Sequence, residues 1–120
     1  MNVGSGQPEM FRVEATADSI TLHIRAGQDE DTLPDLKELM HRSFSIGAQR
    51  LVVDLRECPY LTSQIVSEFV KMWRKHPDIF EVHTAPNGTV YDNLEMCGFF
   101  SRNTFFKVVP PQESEILKIA

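Results

Sequence analysis

Leu51-Val-Val-Asp-Leu-Arg-Glu-Cys-Pro-Tyr-Leu-Thr-Ser-Gln-Ile-Val-Ser-Glu-Phe69 runs from an apolar segment through a short turn into a helical pattern. Leu51–Leu55 is almost wholly apolar with Asp54 near its end, the composition of a short central strand buried on both faces. Past the turn, Ile65, Val66, Phe69, Val70, Met72 and Trp73 recur at helical spacing. Glu68, Lys71, Arg74 and Lys75 fall largely on the other side, and His76-Pro77 ends the helix. Thr62 or Ser63 opens it as a cap, a role worth about 1 kcal/mol. A helix start presents unpaired N–H groups and the positive end of the macrodipole. Ser63 therefore stands where an oxygen, or a phosphate carried on the side chain, is stabilised.

Upstream, Phe11–Thr16 and Ser19–Ile24 alternate apolar and polar residues around Ala17-Asp18, which predicts a hairpin. Thr32 or Asp31 then caps a helix with Pro34 in its first turn. Leu33, Leu36, Leu39, Met40 and Phe44 form its apolar face, and Gly47 stops it. Downstream come a strand over Ile79–Thr84, a turn at Pro86-Asn-Gly88, a helix over Thr89–Cys97 stopped by Gly98, and a strand over Phe105–Val109. A terminal helix over Gln112–Ile119 completes the order β-β-α-β-α-β-α-β-α. That order predicts an α/β domain: a mixed sheet of about five strands with helices packed mainly on one side, because right-handed crossovers return consecutive parallel strands to one sheet. Residues 1–9 read as a flexible arm, and 10–120 as a single domain.

At 120 residues, 42% hydrophobic and 24% charged, the chain has the composition of a globular domain. A net charge of −5 argues against a nucleic-acid partner and for a protein one. The dense basic cluster Lys71, Arg74, Lys75 and His76 sits at a helix end, where positive charge complements the dipole. No stretch approaches transmembrane length and Met1–Pro8 is unlike a secretory signal, so a cytoplasmic location without membrane insertion is expected.

Cys58 and Cys97 form no CxxC pair and read as small buried thiols. With His23, His41, His76 and His83 in separate elements, neither a metal nor another cofactor is expected. Gly4-Ser-Gly6 opens no strand–helix unit, and Ser63 and Asp54 lie in no G-x-S-x-G elbow, so no catalytic residue is assigned. Phe99, Phe100, Phe105 and Phe106 read as core, with one or two left for an interface.

Val52-Val53-Asp54-Leu55, Tyr60-Leu61 and Thr62-Ser63-Gln64-Ile65 resemble the signature of the STAS domain, the family of bacterial anti-sigma-factor antagonists. That signature reads apolar run, Asp-Leu, loop, apolar pair, Asp-Ser-Ser-Gly, apolar helix, with the second Ser usually the phosphoacceptor. Stressosome-type members tend to read Asp, Ser or Thr as acceptor, any residue, then Ile or Val, which Ser63-Gln64-Ile65 matches. Asn93-Leu94-Glu95-Met96-Cys97-Gly98-Phe99-Phe100 resembles the family's second pattern, Leu-Glu-x-x-Gly-Leu at a helix end.

The resemblance implies a non-catalytic signalling protein of the anti-sigma-factor antagonist type, acting in transcription regulation. Its partner would be a Ser/Thr kinase-type anti-sigma factor or another STAS protein, and a homodimer is compatible with it. Ser63 would be the phosphoacceptor, with Thr62 as the alternative, and Asp54, Cys58, Pro59, Thr62, Ser63, Gln64 and Ile65 would meet the partner. Three departures have physical content. Thr62 replaces an acidic residue, Gln64 stands at the antagonists' usual acceptor position, and Ile65 puts a β-branched side chain where they keep a glycine. These departures suit a second reading: a degenerate STAS scaffold subunit of a larger assembly, stressosome-like or lipid-transporter-associated, without phosphorylation.

Overall fold

The structure, a computed structural model, describes residues 11–96 and 106–109. The alternating segments form the hairpin β1 (Phe11–Ala15) and β2 (Ser19–Ile24). They are followed by α1 (Leu33–Ser45), β3 (Arg50–Asp54), α2 (Ser63–Lys75), β4 (Phe80–Thr84), α3 (Thr89–Met96) and β5 (Phe106–Val108). The sheet order is β1-β2-β3-β4-β5. β1 is antiparallel to β2 and every later pair is parallel, and among the described residues one helix lies between the strands of each parallel pair. The mixed five-strand α/β architecture is the one the element order predicts. The terminal helix expected over Gln112–Ile119 lies outside the described residues, as do Cys97, Phe99, Phe100 and Phe105.

Alternation decides which sheet face is apolar. Ile20, Leu22, Ile24, Leu51, Val53, Phe80 and Val82 enter one core with Leu36 and Met40 of α1, Ile65, Phe69 and Met72 of α2, and Val90 and Leu94 of α3. Phe69 is fully buried and its ring lies 6.0 Å from that of Phe80, tilted by 45°. β3 is buried on both faces, since Val52 and Asp54 on the far side are enclosed as well.

The far face is polar. Register aligns Arg12, His23, Asp54, His83 and Lys107 in one row across all five strands. His23 Nδ1 lies 2.8 Å from Asp54 Oδ2, and Glu81 in the neighbouring row receives Arg50, His83 and Lys107. His23 and His83 belong to separate elements, and strand pairing brings them to either side of Asp54.

Four local expectations change. Asp29, not Asp31, leads into α1: its Oδ1 accepts from the amides of Asp31 and Thr32, while the Thr32 hydroxyl turns back to the Asp29 carbonyl. Thr32 is already in the helical region and makes no side-chain cap bond. Met72 takes the enclosed position on α2 and Trp73 is only partly buried. Glu68, expected on the polar side, is buried on the flank of α2 that faces the start of α1. The stop of α1 is as expected: Gly47 adopts φ +88°, a conformation that glycine alone adopts without strain.

Candidate functional site

The turn from β3 to α2 is held from two directions. From below, Asp54 receives the Arg56 amide and a forked guanidinium, with Nε at 3.0 Å from Oδ1 and Nη2 at 3.0 Å from Oδ2. Burial pushes the Asp54 carboxyl up, but the Arg56 hydrogen bonds and the His23 ring outweigh it and hold the pKa below the usual value. From the side, the loop after β2 pairs with the turn as a short continuation of the sheet. The Gln28 amide donates to the Tyr60 carbonyl at 3.0 Å, and the Thr62 amide donates to the Gln28 carbonyl at 3.1 Å.

The turn's own side chains complete the clamp. The buried Cys58 thiol donates to the carbonyl oxygens of Ala26 and Tyr60, and burial raises its pKa to about 11. The Tyr60 ring covers Gly27 so closely that a Cβ there would fall 2.0 Å from Cε2, which explains the glycine. Cys58 is thus an inert structural thiol.

Thr62 adopts the extended backbone of an N-cap, yet its side chain makes no cap hydrogen bond. Its hydroxyl oxygen is buried and has no partner, and the same holds for Oε1 of the fully buried Gln28. Ser63, the first residue of α2, is exposed. The cap expected of Thr62 or Ser63 is therefore not made by a side chain.

Ser63 sits on a ridge between two depressions. On one side, a groove of about 440 Å³ separates the start of α1 at Leu33 from Gln64, Glu68 and Lys71. On the other, a groove of about 540 Å³ runs between α2 and α3, with Leu61, Val66, Val70, Leu94 and Met96 as its apolar lining. Ser63 and Ser67, one helical turn apart, line both. A phosphate on Ser63 would stand at the positive end of α2 and alter the polarity of both surfaces.

Comparison with solved structures bears on this arrangement. An anti-sigma factor antagonist from Mycobacterium paratuberculosis superposes with a TM-score of 0.70 at 19% identity, over 91% of each chain. The unphosphorylated form of the anti-sigma factor antagonist SpoIIAA gives 0.56 at 10% identity, over 91% of this chain and 96% of that one. The phosphorylated form from Bacillus gives the same score. The chain has the STAS fold. A protein with a SpoIIAA-like fold from Shewanella loihica also superposes, at 0.55 and 12% identity over 91% of this chain and 90% of that one. No protein-family model and no curated protein matches the sequence.

On the STAS scaffold the seven residues singled out from the sequence separate by exposure. Pro59, Ser63 and Gln64 are exposed and Thr62 is half-buried. Asp54, Cys58 and Ile65 are buried, so they shape the turn without offering a contact surface. Ile65 in particular sits in the core and fills the space beneath the helix start. Sequence reasoning missed Gln28, Asp29 and Gly27, because nothing local marks a loop that pairs with a turn beyond the next helix. Tyr60, in sequence one half of an apolar pair with Leu61, is 45% exposed.

Proposed function

We propose that this STAS-fold protein is a non-catalytic signalling protein of the anti-sigma factor antagonist type. It binds a kinase-type anti-sigma factor through the exposed surface around Ser63 and is switched by phosphorylation there. The observation that carries this reading is the contrast between two neighbouring hydroxyls: that of Thr62 is buried, whereas Ser63 is exposed at the first position of α2, on a ridge between two grooves. A kinase can approach Ser63 without unfolding the helix, and the dianion it leaves is steadied by the helix N-terminus while repelling acidic or apolar groups of a partner. SpoIIAA exists in unphosphorylated and phosphorylated forms on the same fold, which supports the comparison.

Mass spectrometry after incubation with the cognate kinase tests the reading. Modification at Ser63, absent from Ser63→Ala, is the expected result. A kinase active on another substrate that leaves Ser63 unmodified would hand the case to the second reading, a STAS scaffold subunit that binds without being switched. That reading is favoured by Thr62, which removes the acidic neighbour a kinase would recognise.

A further inference from the structure

Glu68 carries a carboxylate that nothing in the fold pairs. The residue is only 8% exposed, yet among the described residues it makes no hydrogen bond and no ion pair. Its oxygens are not among the enclosed polar atoms without a partner, so they open onto the α1–α2 groove that the residue lines. The neighbours that could satisfy it do not. Across the groove, the amides of Thr32 and Leu33 are taken by Asp29, and Pro34 has none to give. Lys71, three residues further along α2 and within reach on the same face, is exposed and forms no ion pair with it. A carboxylate withdrawn from water without a partner is costly, and a cation with matched hydrogen bonds offsets that cost.

The rest of the lining says which cation. Ser63, Gln64 and Ser67 each present an oxygen that can accept, and Leu33 offers an apolar wall. A guanidinium has five donors in a planar fork and is weakly hydrated, so it can meet a carboxylate and those oxygens together while its methylene stem lies along Leu33. An ammonium is a point charge and holds its water more strongly. At about 440 Å³ the groove has room for such a side chain. We propose that the α1–α2 groove receives an arginine side chain of a protein partner, with its guanidinium on Glu68. This assignment rests on the reading above that the surface around Ser63 meets a protein, and names the group that the surface recognises. Ser63 lies five residues before Glu68, about 7.5 Å along α2. A phosphate there competes for the same guanidinium and draws it toward the helix start, out of register with the carboxylate.

Titration of the full chain with N-acetylarginine amide, followed by heteronuclear NMR, tests the site, with N-acetylcitrulline amide as the uncharged isostere. The arginine derivative is expected to shift the amides of Leu33, Ser67, Glu68 and Lys71 saturably at millimolar concentration, and to bind about tenfold more tightly than the citrulline one. Glu68→Gln should weaken its binding about tenfold while the β3 signals stay in place. The comparison of the two ligands needs no substitution, so it stands whatever Glu68→Gln does to the fold. No saturable shift with the arginine derivative, equal shifts with both ligands, or shifts confined to residues 29–31 would overturn the proposal. So would undiminished binding to a folded Glu68→Gln chain. Neither arm involves a kinase: failure here leaves the Ser63 switch standing, and a Ser63 that is never phosphorylated leaves the arginine site standing.

Discussion

The Thr62 amide donates to the Gln28 carbonyl oxygen at 3.1 Å, so the residue just ahead of Ser63 is held by a loop on the far side of α1 in the sequence. With the reciprocal bond from the Gln28 amide to the Tyr60 carbonyl, this makes the start of α2 an extension of the sheet rather than a free loop. The position of Ser63 therefore depends on a loop that is distant from it in sequence.

Gly27→Ala tests that dependence. The added Cβ falls 2.0 Å from the Tyr60 ring, and the half-exposed ring must swing outward. A loss of about 1–2 kcal/mol in urea unfolding is expected, in the range of modest overpacking. In a Tyr60→Ala background the cost should shrink markedly, because the two changes share one contact. Equal costs in both backgrounds would show that the ring does not rest on Gly27.

Thr62→Val distinguishes a cap from a buried orphan. A capping threonine loses about 1 kcal/mol when its hydroxyl is removed. Here the hydroxyl oxygen is buried with no partner, and exchanging it for a methyl of the same shape relieves an unpaired group. The expected change is within about 0.5 kcal/mol of zero, or stabilising. A loss near 1 kcal/mol would restore the cap.

Phe69→Ala removes a fully buried ring where α2 meets the sheet. Calorimetry or urea titration should show a loss of about 3–5 kcal/mol. A loss under about 1 kcal/mol would place the side chain at the surface.

Acid should weaken the polar sheet face. Burial pushes the Glu81 carboxyl up, but hydrogen bonds from Lys107, Arg50 and His83 prevail and bring its pKa from 4.5 to about 2. A depressed folded pKa means stability that is complete above the unfolded value and is lost as pH falls through the folded one. The contribution of Glu81 should thus decline between pH 4.5 and about 2, and Asp54, depressed from 3.8, acts in the same direction. Urea midpoints measured across that window should fall more shallowly for Glu81→Gln than for the native chain. Parallel curves would show that the carboxylate carries no net stabilisation.

Ser63→Asp should weaken partner binding and Ser63→Ala should preserve it, with both variants keeping the native melting behaviour. The full phosphate is expected to cost on the order of 1–3 kcal/mol of binding. Titration calorimetry with the kinase partner checks this, and unchanged affinity for the phosphorylated protein would make Ser63 a bystander.

The order of elements from β1 to β5, the two faces of the sheet and the placement of Ser63 at the first turn of α2 were legible in the chain itself. Each is written in a short-range period: two for Ile20, Leu22 and Ile24, between three and four for Ile65, Phe69 and Met72. Gly47 and Gly88 mark their turns by a backbone freedom that other residues lack. These are properties of neighbours along the chain, and packing had only to accept them.

What tertiary structure alone decided are relations between segments. The alignment of Arg12, His23, Asp54, His83 and Lys107 follows from strand register, and a slip of one residue would have sent each to the other face. The burial of the Thr62 hydroxyl, the fit of Tyr60 over Gly27 and the bond from Thr62 to Gln28 arise because the loop after β2 docks against the turn after β3. Helix propensity marks Thr62 as a cap from its own chemistry. Whether its oxygen faces an orphan amide or a closed wall is determined by a segment lying more than one helix away, about which no local pattern carries information.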